Sequence, residues 1–133
     1  PLVVSNPDVV RPGGSNDPMP GLLGQHYEEQ GGRVVWVGKP HPLVYQHCRA
    51  VLQRAGRPVL EGARVCCVGD SMWNDIQGAH QEGFHSVLVA DGIHADALGL
   101  GQGQGQTLDP GALEGFLQAF DFQPTHAVPR FRW

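Results

Sequence analysis

The stretch from Arg64 to Ile76 constrains the fold more than any other part of the chain. It begins with an apolar run, Val65 to Val68, which is typical of a strand buried on both faces of a parallel sheet. Gly69 provides a tight exit from this strand, and Asp70 falls at its carboxyl end. Open α/β sheets bind their ligands at that edge. The pattern therefore predicts a strand, a turn and a helix, with a carboxylate at the ligand-binding edge.

The residues after Asp70 allow two interpretations. Ser71 and Asn74 are both suitable caps for the following helix, and Asp75 places a second carboxylate in its first turn. Two carboxylates at this spacing can face one hard cation such as Mg²⁺, directly or through water. The same residues also fit ordinary helix capping, and the spacing alone does not decide between a metal site and a cap.

The rest of the chain alternates between strand-like and helix-like patterns. Strands are predicted at residues 2–4, 33–37, 64–68 and 86–90. Helices are predicted at residues 21–30, from Pro42 to Ala55, from Ser71 to Gly83, and after the N-cap Asp109. Alternation of this kind predicts an α/β fold with a parallel sheet and right-handed crossovers.

A chain of 133 residues fits one domain, which we predict to span residues 1–133. Residues 101–106 form a Gly/Gln segment that we expect to be a flexible loop. Its spaced glycines do not indicate dinucleotide binding, because no strand leads into them and no helix opens from them. Residues 124–133 are expected to be an irregular tail, with Val128, Phe131 and Trp133 docking on the core.

Composition excludes several classes of protein. The formal net charge of -4 and the lack of a basic run argue against nucleic-acid binding. No apolar run is long enough to span a membrane, and the N-terminus lacks the features of a signal peptide. The chain starts with Pro1 and strand-like sequence follows at once, which suggests a piece of a longer protein. Cys48, Cys66 and Cys67 fit free, buried thiols in a reducing cytoplasm, so we predict a cytoplasmic location.

Three separated motifs together resemble one enzyme family. Gly38-Lys39-Pro40 precedes an amphipathic helix, and Gly69-Asp70 with Asp75-Ile76 follows further along the chain. This combination resembles the haloacid dehalogenase (HAD) superfamily. Asn6-Pro7-Asp8 narrows the resemblance to the class IIA branch, which contains nucleotide, sugar and pyridoxal phosphate phosphatases. The ending from Pro124 to Trp133 also resembles the C-terminus of that branch. The resemblance implies a Rossmann-like parallel sheet flanked by helices.

The resemblance also assigns roles to matching positions. Lys39 corresponds to the lysine that steadies the transferring phosphoryl group, and a cation stabilises the charge that develops there. Asp70 corresponds to a Mg²⁺ ligand, and Asp75 to its supporting acid. Lys39 and Asp70 are thus the expected catalytic residues, and Asp70 and Asp75 the expected metal residues. The expected substrate, a small phosphorylated metabolite, would be bound by Asn6, Asp8, Gly38 and Lys39.

The chain departs from the family pattern in one decisive respect. The family's nucleophile lies in an Asp-x-Asp motif, and no Asp-x-Asp occurs in these 133 residues. The second-motif Ser/Thr strand and the cap domain are missing as well. The chain therefore resembles the C-terminal half of such an enzyme, an incomplete core without the nucleophile strand. Since covalent phosphoryl transfer needs a positioned nucleophile, we expect little or no activity and weak or absent Mg²⁺ binding.

In the family, the missing strand lies beside the strand predicted here at residues 65–68. Its absence would leave that strand's edge unpaired, and unpaired edges favour association with another chain. We therefore expect a homo-oligomer such as a dimer, a complex with a missing N-terminal half, or marginal solubility.

Two alternatives to a phosphatase fragment remain open. One is a non-catalytic module that uses Lys39 and Asp70 to bind phosphate or a partner strand. The other is a phospho-acceptor receiver domain, which is disfavoured because its lysine follows the acceptor aspartate in sequence, whereas Lys39 precedes Asp70. Trp73 fits the core or the rim of a site better than its floor. Four histidines lack the spacing of metal ligands and are expected to be surface or packing residues: His41, His47, His80 and His85. His41 lies nearest the expected phosphate side.

Overall fold

The computed structural model describes residues 1–9, 11, 17–57, 62–100 and 107–132. The chain divides into two compact units, Pro1–Glu61 and Gly62–Trp133. The predicted loop at residues 101–106 and the predicted docking of Trp133 lie outside the described residues. None of the described helices combines the length and the apolar character that a membrane crossing requires.

The first unit contains a parallel pair of short strands. Strand β1 (Leu2–Val4) pairs in register with β2 (Val34–Trp36), and helix α1 (Pro20–Glu29) connects them in sequence. Helix α2 (Pro42–Arg54) follows β2. Both helices start with proline, which is well tolerated there because its missing N–H would have no partner within the helix. These elements confirm the order predicted from the sequence.

Helix α2 buries less of its surface than its apolar stripe suggests. Tyr45 is buried, whereas Leu43, Val51 and Leu52 are 40–47% exposed. Cys48, which belongs to the predicted stripe, is exposed as well. The periodicity correctly predicted a helix here, but apolar spacing does not by itself establish burial.

The second unit contains three parallel strands in the order β3-β4-β5. Strand β3 (Cys66–Gly69) follows a single 3₁₀ turn (Gly62–Arg64) and leads into a π-helical turn (Met72–Ile76) that continues as α3 (Gln77–Gln81). Strand β4 (His85–Val89), helix α4 (Pro110–Leu117) and strand β5 (His126–Val128) complete the unit. Asp109 caps α4 as predicted, accepting a 2.8 Å hydrogen bond from the Ala112 amide.

Strand β5 corrects the prediction of an irregular tail. It pairs with β4 over three residues, from Val87↔His126 to Val89↔Val128. Ser86 and Thr125 extend this pairing with reciprocal hydrogen bonds of 3.0 and 3.2 Å between backbone amides and side-chain hydroxyls. The strand is too short, between two prolines, to show the alternation by which strands are recognised in sequence.

Strand β3 differs from its predicted burial on both faces. Cys66 is exposed and Val68 is 46% exposed, because β3 lies at an edge of the described three-stranded sheet. The cysteines are free thiols, as expected, but not buried ones: Cys48 and Cys66 are exposed, and Cys67 is intermediate. The apolar run therefore predicted the strand correctly, but it did not predict the exposure of the strand's side chains in this chain.

The core of the second unit lies beneath the turn that follows β3. Met72, Ile76 and Leu88 are fully buried. The predicted apolar face of α4 and its continuation packs on this cluster; the contacting residues include Leu113, Phe116, Leu117 and Phe120. Because Met72 and Ile76 are both in the π-helical turn, burial of their side chains anchors the segment that follows Asp70.

Candidate functional site

The predicted substrate-binding residues lie together at one edge of the first unit. Strands β1 and β2 are parallel, so the segments that follow them leave the sheet at the same edge. A 2.9 Å hydrogen bond from the Val37 amide to the Val4 carbonyl extends the pairing to this edge. The structure thereby brings together the four residues Asn6, Asp8, Gly38 and Lys39.

Gly38 is buried against the segment that follows β1. A Cβ at this position would lie less than 3.0 Å from the Ser5 carbonyl oxygen and from Cδ of Pro7, so a side chain does not fit. Asn6 shapes the same segment by accepting a 3.0 Å hydrogen bond from the Asp8 amide through Oδ1, as its turn-forming residues suggested. Lys39 follows Gly38 directly and is exposed.

His41 packs on an aromatic ring in the same unit. Its imidazole stacks on Trp36 with ring centroids 5.8 Å apart, and the Trp36 indole donates a hydrogen bond to Glu28. Such packing fits the sequence-based expectation for the histidines.

A second candidate site lies at the carboxyl ends of β3 and β4. An open groove of about 540 Å³ contains two carboxylates, from Asp70 at the end of β3 and Asp91 beyond the end of β4. The remaining lining is apolar or glycine: Val68, Gly69, Val89, Gly92 and Phe131. Asp70 is therefore where the strand-and-turn pattern predicted it, at the edge of a parallel sheet.

The turn after β4 holds the Asp70 side chain. Oδ2 of Asp70 accepts a 3.0 Å hydrogen bond from the Ile93 amide. Gly92 makes this approach possible, because a Cβ there would lie less than 3.0 Å from the Asp70 carboxylate. The direction of the Asp70 carboxylate is thus set by the backbone of a neighbouring loop.

Asp75 occupies a different environment from Asp70. It is 7% exposed, and its Oδ2 accepts a 3.1 Å hydrogen bond from the Ser71 amide. A Cβ at Gly69 would meet this carboxylate, so Gly69 leaves the room that Asp75 occupies. Asp75 lies inside the turn and does not line the groove. The structure therefore does not bring both predicted metal residues to the groove.

Ser71 is the N-cap of the π-helical turn. Its hydroxyl accepts a 3.2 Å hydrogen bond from the Asn74 amide, which resolves the choice between these two predicted caps.

Across the groove, Asp91 forms an ion pair with Arg130 of the tail. The predicted docking of Phe131 takes the form of a groove-lining side chain that is 44% exposed.

His94 is a residue of this site that sequence reasoning missed. It is 5% exposed, and its Nε2 accepts a 3.1 Å hydrogen bond from the Met72 amide. Burial lowers the pKa of His94, and the negative charge of Asp70 opposes this effect in part. A neutral ring with a bare Nε2 matches its role as acceptor. The signal was present, since His94 lies in the turn after a parallel strand, where the same edge rule located Asp70.

Two aromatic rings enclose His94. The centroid of Trp73 lies 5.0 Å from the imidazole centroid, and that of Phe116 lies 4.9 Å from it. Trp73 also packs on Phe120 and remains 54% exposed, which agrees with the predicted position at the core or rim. It does not line the groove.

The described residues do not make a complete magnesium site. No three His, Cys, Asp or Glu side chains among them are close enough together to hold a metal ion. Mg²⁺ requires near-octahedral oxygen ligation, and in the groove Asp70 already uses one oxygen for the Ile93 amide.

Comparison with known families agrees with this geometry. The model of the HAD-hydrolase-like family matches residues 36–108, which include Lys39, Asp70 and Asp75. This match covers more than half of the chain, and the chain therefore belongs to the HAD-like hydrolase family.

Solved structures show the same fold. A haloacid dehalogenase-like hydrolase from Brucella suis is 25% identical, with a TM-score of 0.66 over 98% of this chain. A p-nitrophenyl phosphatase from Archaeoglobus fulgidus is 22% identical, with a TM-score of 0.62 over 96% of this chain. NagD from Escherichia coli K-12 is also 22% identical, with a TM-score of 0.60 over 97% of this chain. These similarities confirm the predicted Rossmann-like α/β fold, and the family match confirms the HAD resemblance.

The chain spans less than half the length of these structures. It covers 44% of the Brucella suis chain and 42% of each of the other two. This coverage is consistent with the prediction that the sequence resembles one half of the enzyme. A search of curated protein sequences gives no significant match.

Proposed function

We propose that this chain is the C-terminal part of a Mg²⁺-dependent HAD-type phosphatase that hydrolyses small phosphomonoesters, and that it is inactive alone. The observation that carries the proposal is the Asp70 carboxylate, held by the Ile93 amide at the carboxyl edge of a parallel sheet. Family membership gives this carboxylate its expected chemistry, because the matched region includes Asp70.

Within the proposed enzyme, the first unit provides the phosphate-binding residues. Lys39 would place its positive charge beside the transferring phosphoryl group, where preorganised charge lowers the barrier. Asn6, Asp8 and Gly38 share its sheet edge and would contact the substrate. The exposure of Lys39 and the close packing of Gly38 support this arrangement, since the backbone at Gly38 is packed while the next residue is exposed.

In the second unit, Asp70 would contribute one carboxylate to a Mg²⁺ site. Further carboxylates and phosphate oxygens would be required to complete that site. Asp75 would then act as the supporting acid, because its hydrogen bond to the Ser71 amide stabilises the turn after Asp70. For this chain alone we expect weak or absent Mg²⁺ binding.

The proposed inactivity follows from the missing nucleophile. No Asp-x-Asp occurs in the 133 residues, and neither Asp70 nor Asp91 lies in such a motif. Without an attacking carboxylate, the phosphoryl group of a bound substrate could not be transferred covalently to the protein.

The test is a phosphatase assay with p-nitrophenyl phosphate and Mg²⁺. It compares the 133-residue chain with the chain extended by the coding sequence upstream of Pro1. We expect turnover from the extended protein only, and its loss on Lys39→Met or Asp70→Asn. Robust turnover by the 133-residue chain would contradict the proposed inactivity. Absence of turnover in the extended protein, over a panel of small phosphomonoesters, would contradict the phosphatase assignment.

A non-catalytic phosphate-binding or assembly module is the second candidate. The absence of Asp-x-Asp favours it, because binding residues without a nucleophile would suffice for such a role. Chemical-shift changes on titration with inorganic phosphate at Gly38 and Lys39, without turnover in the extended protein, would favour this candidate over the phosphatase.

We further propose that the edge of β3 pairs with another chain, either a second copy or an N-terminal half. The exposure of Val68 and the edge position of β3 support this association. Small phosphorylated metabolites, and neither nucleic acid nor membrane, are the proposed ligands. A cytoplasmic location is also proposed, since the three cysteines are free thiols.

A further inference from the structure

Two hydrogen bonds connect the loop after β4 to the turn after β3. The Ile93 amide donates to Oδ2 of Asp70 at 3.0 Å, and the Met72 amide donates to Nε2 of His94 at 3.1 Å. Each of the two segments therefore donates one hydrogen bond from a backbone amide and accepts one through a side chain. Residues 70–72 and 92–94 are thereby joined as a closed pair of loops, which we call the edge clamp.

His94 is the side chain of the edge clamp whose position is fixed independently of Asp70. It is buried, and the rings of Trp73 and Phe116 lie about 5 Å from its own. Met72 is fully buried in the core cluster, so its amide has no access to water as a substitute acceptor. Loss of the Nε2 acceptor would therefore leave a buried donor without a partner and would favour displacement of the Asp70 turn.

We propose that His94 is a positioning residue for Asp70, acting through the Met72 amide to hold the turn in the geometry that Ile93 completes. The proposal deepens the proposed function, because Asp70 is the residue assigned there to metal and phosphate chemistry. It requires His94 to be the neutral tautomer with the proton on Nδ1, since Nε2 must accept. No contact between His94 and a substrate is implied.

The first test reads the hydrogen bond directly in the full 133-residue chain. We expect long-range nitrogen–proton NMR spectra to show a protonated Nδ1 and a bare Nε2 for His94 at neutral pH. We also expect a scalar coupling across the hydrogen bond between the Met72 amide nitrogen and Nε2 of His94. A proton on Nε2 at neutral pH would overturn the proposal.

The second test separates positioning from simple packing. In His94→Leu, which keeps an apolar side chain but lacks an acceptor, amide exchange protection at Met72 and Ile93 should fall by about tenfold or more. Protection in the β4–β5 ladder should change by less than half of that, measured at Ala90, whose amide donates a 2.9 Å hydrogen bond to the Val128 carbonyl. His94→Gln offers an amide oxygen as acceptor and should recover most of the protection at Ile93.

Equal losses at Ile93 and at Ala90 in His94→Leu would show a merely structural role and would overturn the proposal. Unchanged protection at Ile93, with protection lost at Met72 alone, would overturn it as well. His80→Gln is the matched control, because His80 also contacts an aromatic ring, that of Phe122, but is exposed on α3. If His94→Leu does not fold, the tautomer of His94 and the scalar coupling in the unmodified chain still test the proposal. None of these measurements needs a substrate, so the failure of the phosphatase proposal would be recognised separately.

Discussion

The amide of Ile93 donates a 3.0 Å hydrogen bond to Oδ2 of Asp70, across the two loops that leave β3 and β4. The acceptor is the best candidate for phosphate or metal chemistry in the second unit, and the donor is a backbone N–H that only a proline substitution would remove. The geometry of Asp70 consequently depends on whether the loop after β4 can approach it closely.

Replacement of Gly92 by alanine should destabilise the protein by about 1–3 kcal/mol, because the new Cβ would overlap the Asp70 carboxylate. Urea unfolding measures the change. Gly115→Ala is the matched control: Gly115 is in α4 with open space around it, so alanine should raise the free energy of unfolding by about 0.5–1 kcal/mol. Equal effects of the two substitutions would contradict the close approach described here.

Removal of the Asp70 carboxylate should leave the Ile93 amide without its acceptor. Asp70→Ala is expected to lower the free energy of unfolding by about 1 kcal/mol, the usual net contribution of such a hydrogen bond. Asp70→Asn retains an oxygen acceptor and should cost less. Urea unfolding of both variants measures the difference. A lower stability of Asp70→Asn than of Asp70→Ala would contradict a stabilising hydrogen bond from Ile93 to Asp70.

Stability should fall in mildly acidic solution because of His94. Its pKa in the folded protein is lowered from 6.5, mainly by burial, so between these two values the unfolded chain binds the additional proton. The contribution of neutral His94 is therefore complete above pH 6.5 and is lost as the pH falls through the lowered pKa.

Urea unfolding at a series of pH values measures this dependence. His94→Gln should flatten the part of the profile just below pH 6.5, while His80→Gln should retain it. An identical profile in the His94→Gln variant would show that the acid sensitivity arises elsewhere.

Loss of the Asp109 cap should destabilise α4. Asp109→Ala removes the acceptor for the Ala112 amide and should cost about 1 kcal/mol. Asp121→Ala, at an exposed aspartate beyond the end of the helix, is the control and should change stability by less than 0.5 kcal/mol in the usual range for surface sites. Urea unfolding of both variants provides the measurement.

The edge of β3 leads to an expectation about assembly. Light scattering after gel filtration should give a mass above that of one chain, and Val68→Lys should shift the distribution towards the monomer. Val3→Lys tests a more exposed valine in β1 and should have a smaller effect. A monomer that unfolds cooperatively on heating would contradict association through β3.

Much of this fold was predictable because its signals are local. The apolar run before Gly69 and the proline at the start of α2 each mark an element through neighbouring residues, and the structure has strands and helices there. The position of Asp70 at a sheet edge followed from the same local pattern.

What could not be predicted depends on partners distant in sequence. Strand β5 exists because of its register with β4, and three residues carry too little periodicity to reveal it. The position of His94 in the turn after β4 was visible in the sequence, but its role as an acceptor depends on the Met72 amide and on two aromatic rings, which tertiary packing brings to it. The burial of Asp75, as opposed to the groove position of Asp70, likewise depends on how the turn folds back on Gly69.

The closeness of Gly92 to Asp70 also bears on how this site changes in evolution. As long as the acid is retained, a side chain at position 92 is destabilising; once a smaller residue replaces the acid, that restriction disappears. Relatives that have abandoned the chemistry are thus expected to vary at both positions together. The residues at positions 70 and 92 would thus distinguish relatives that retain the site from relatives that have lost it.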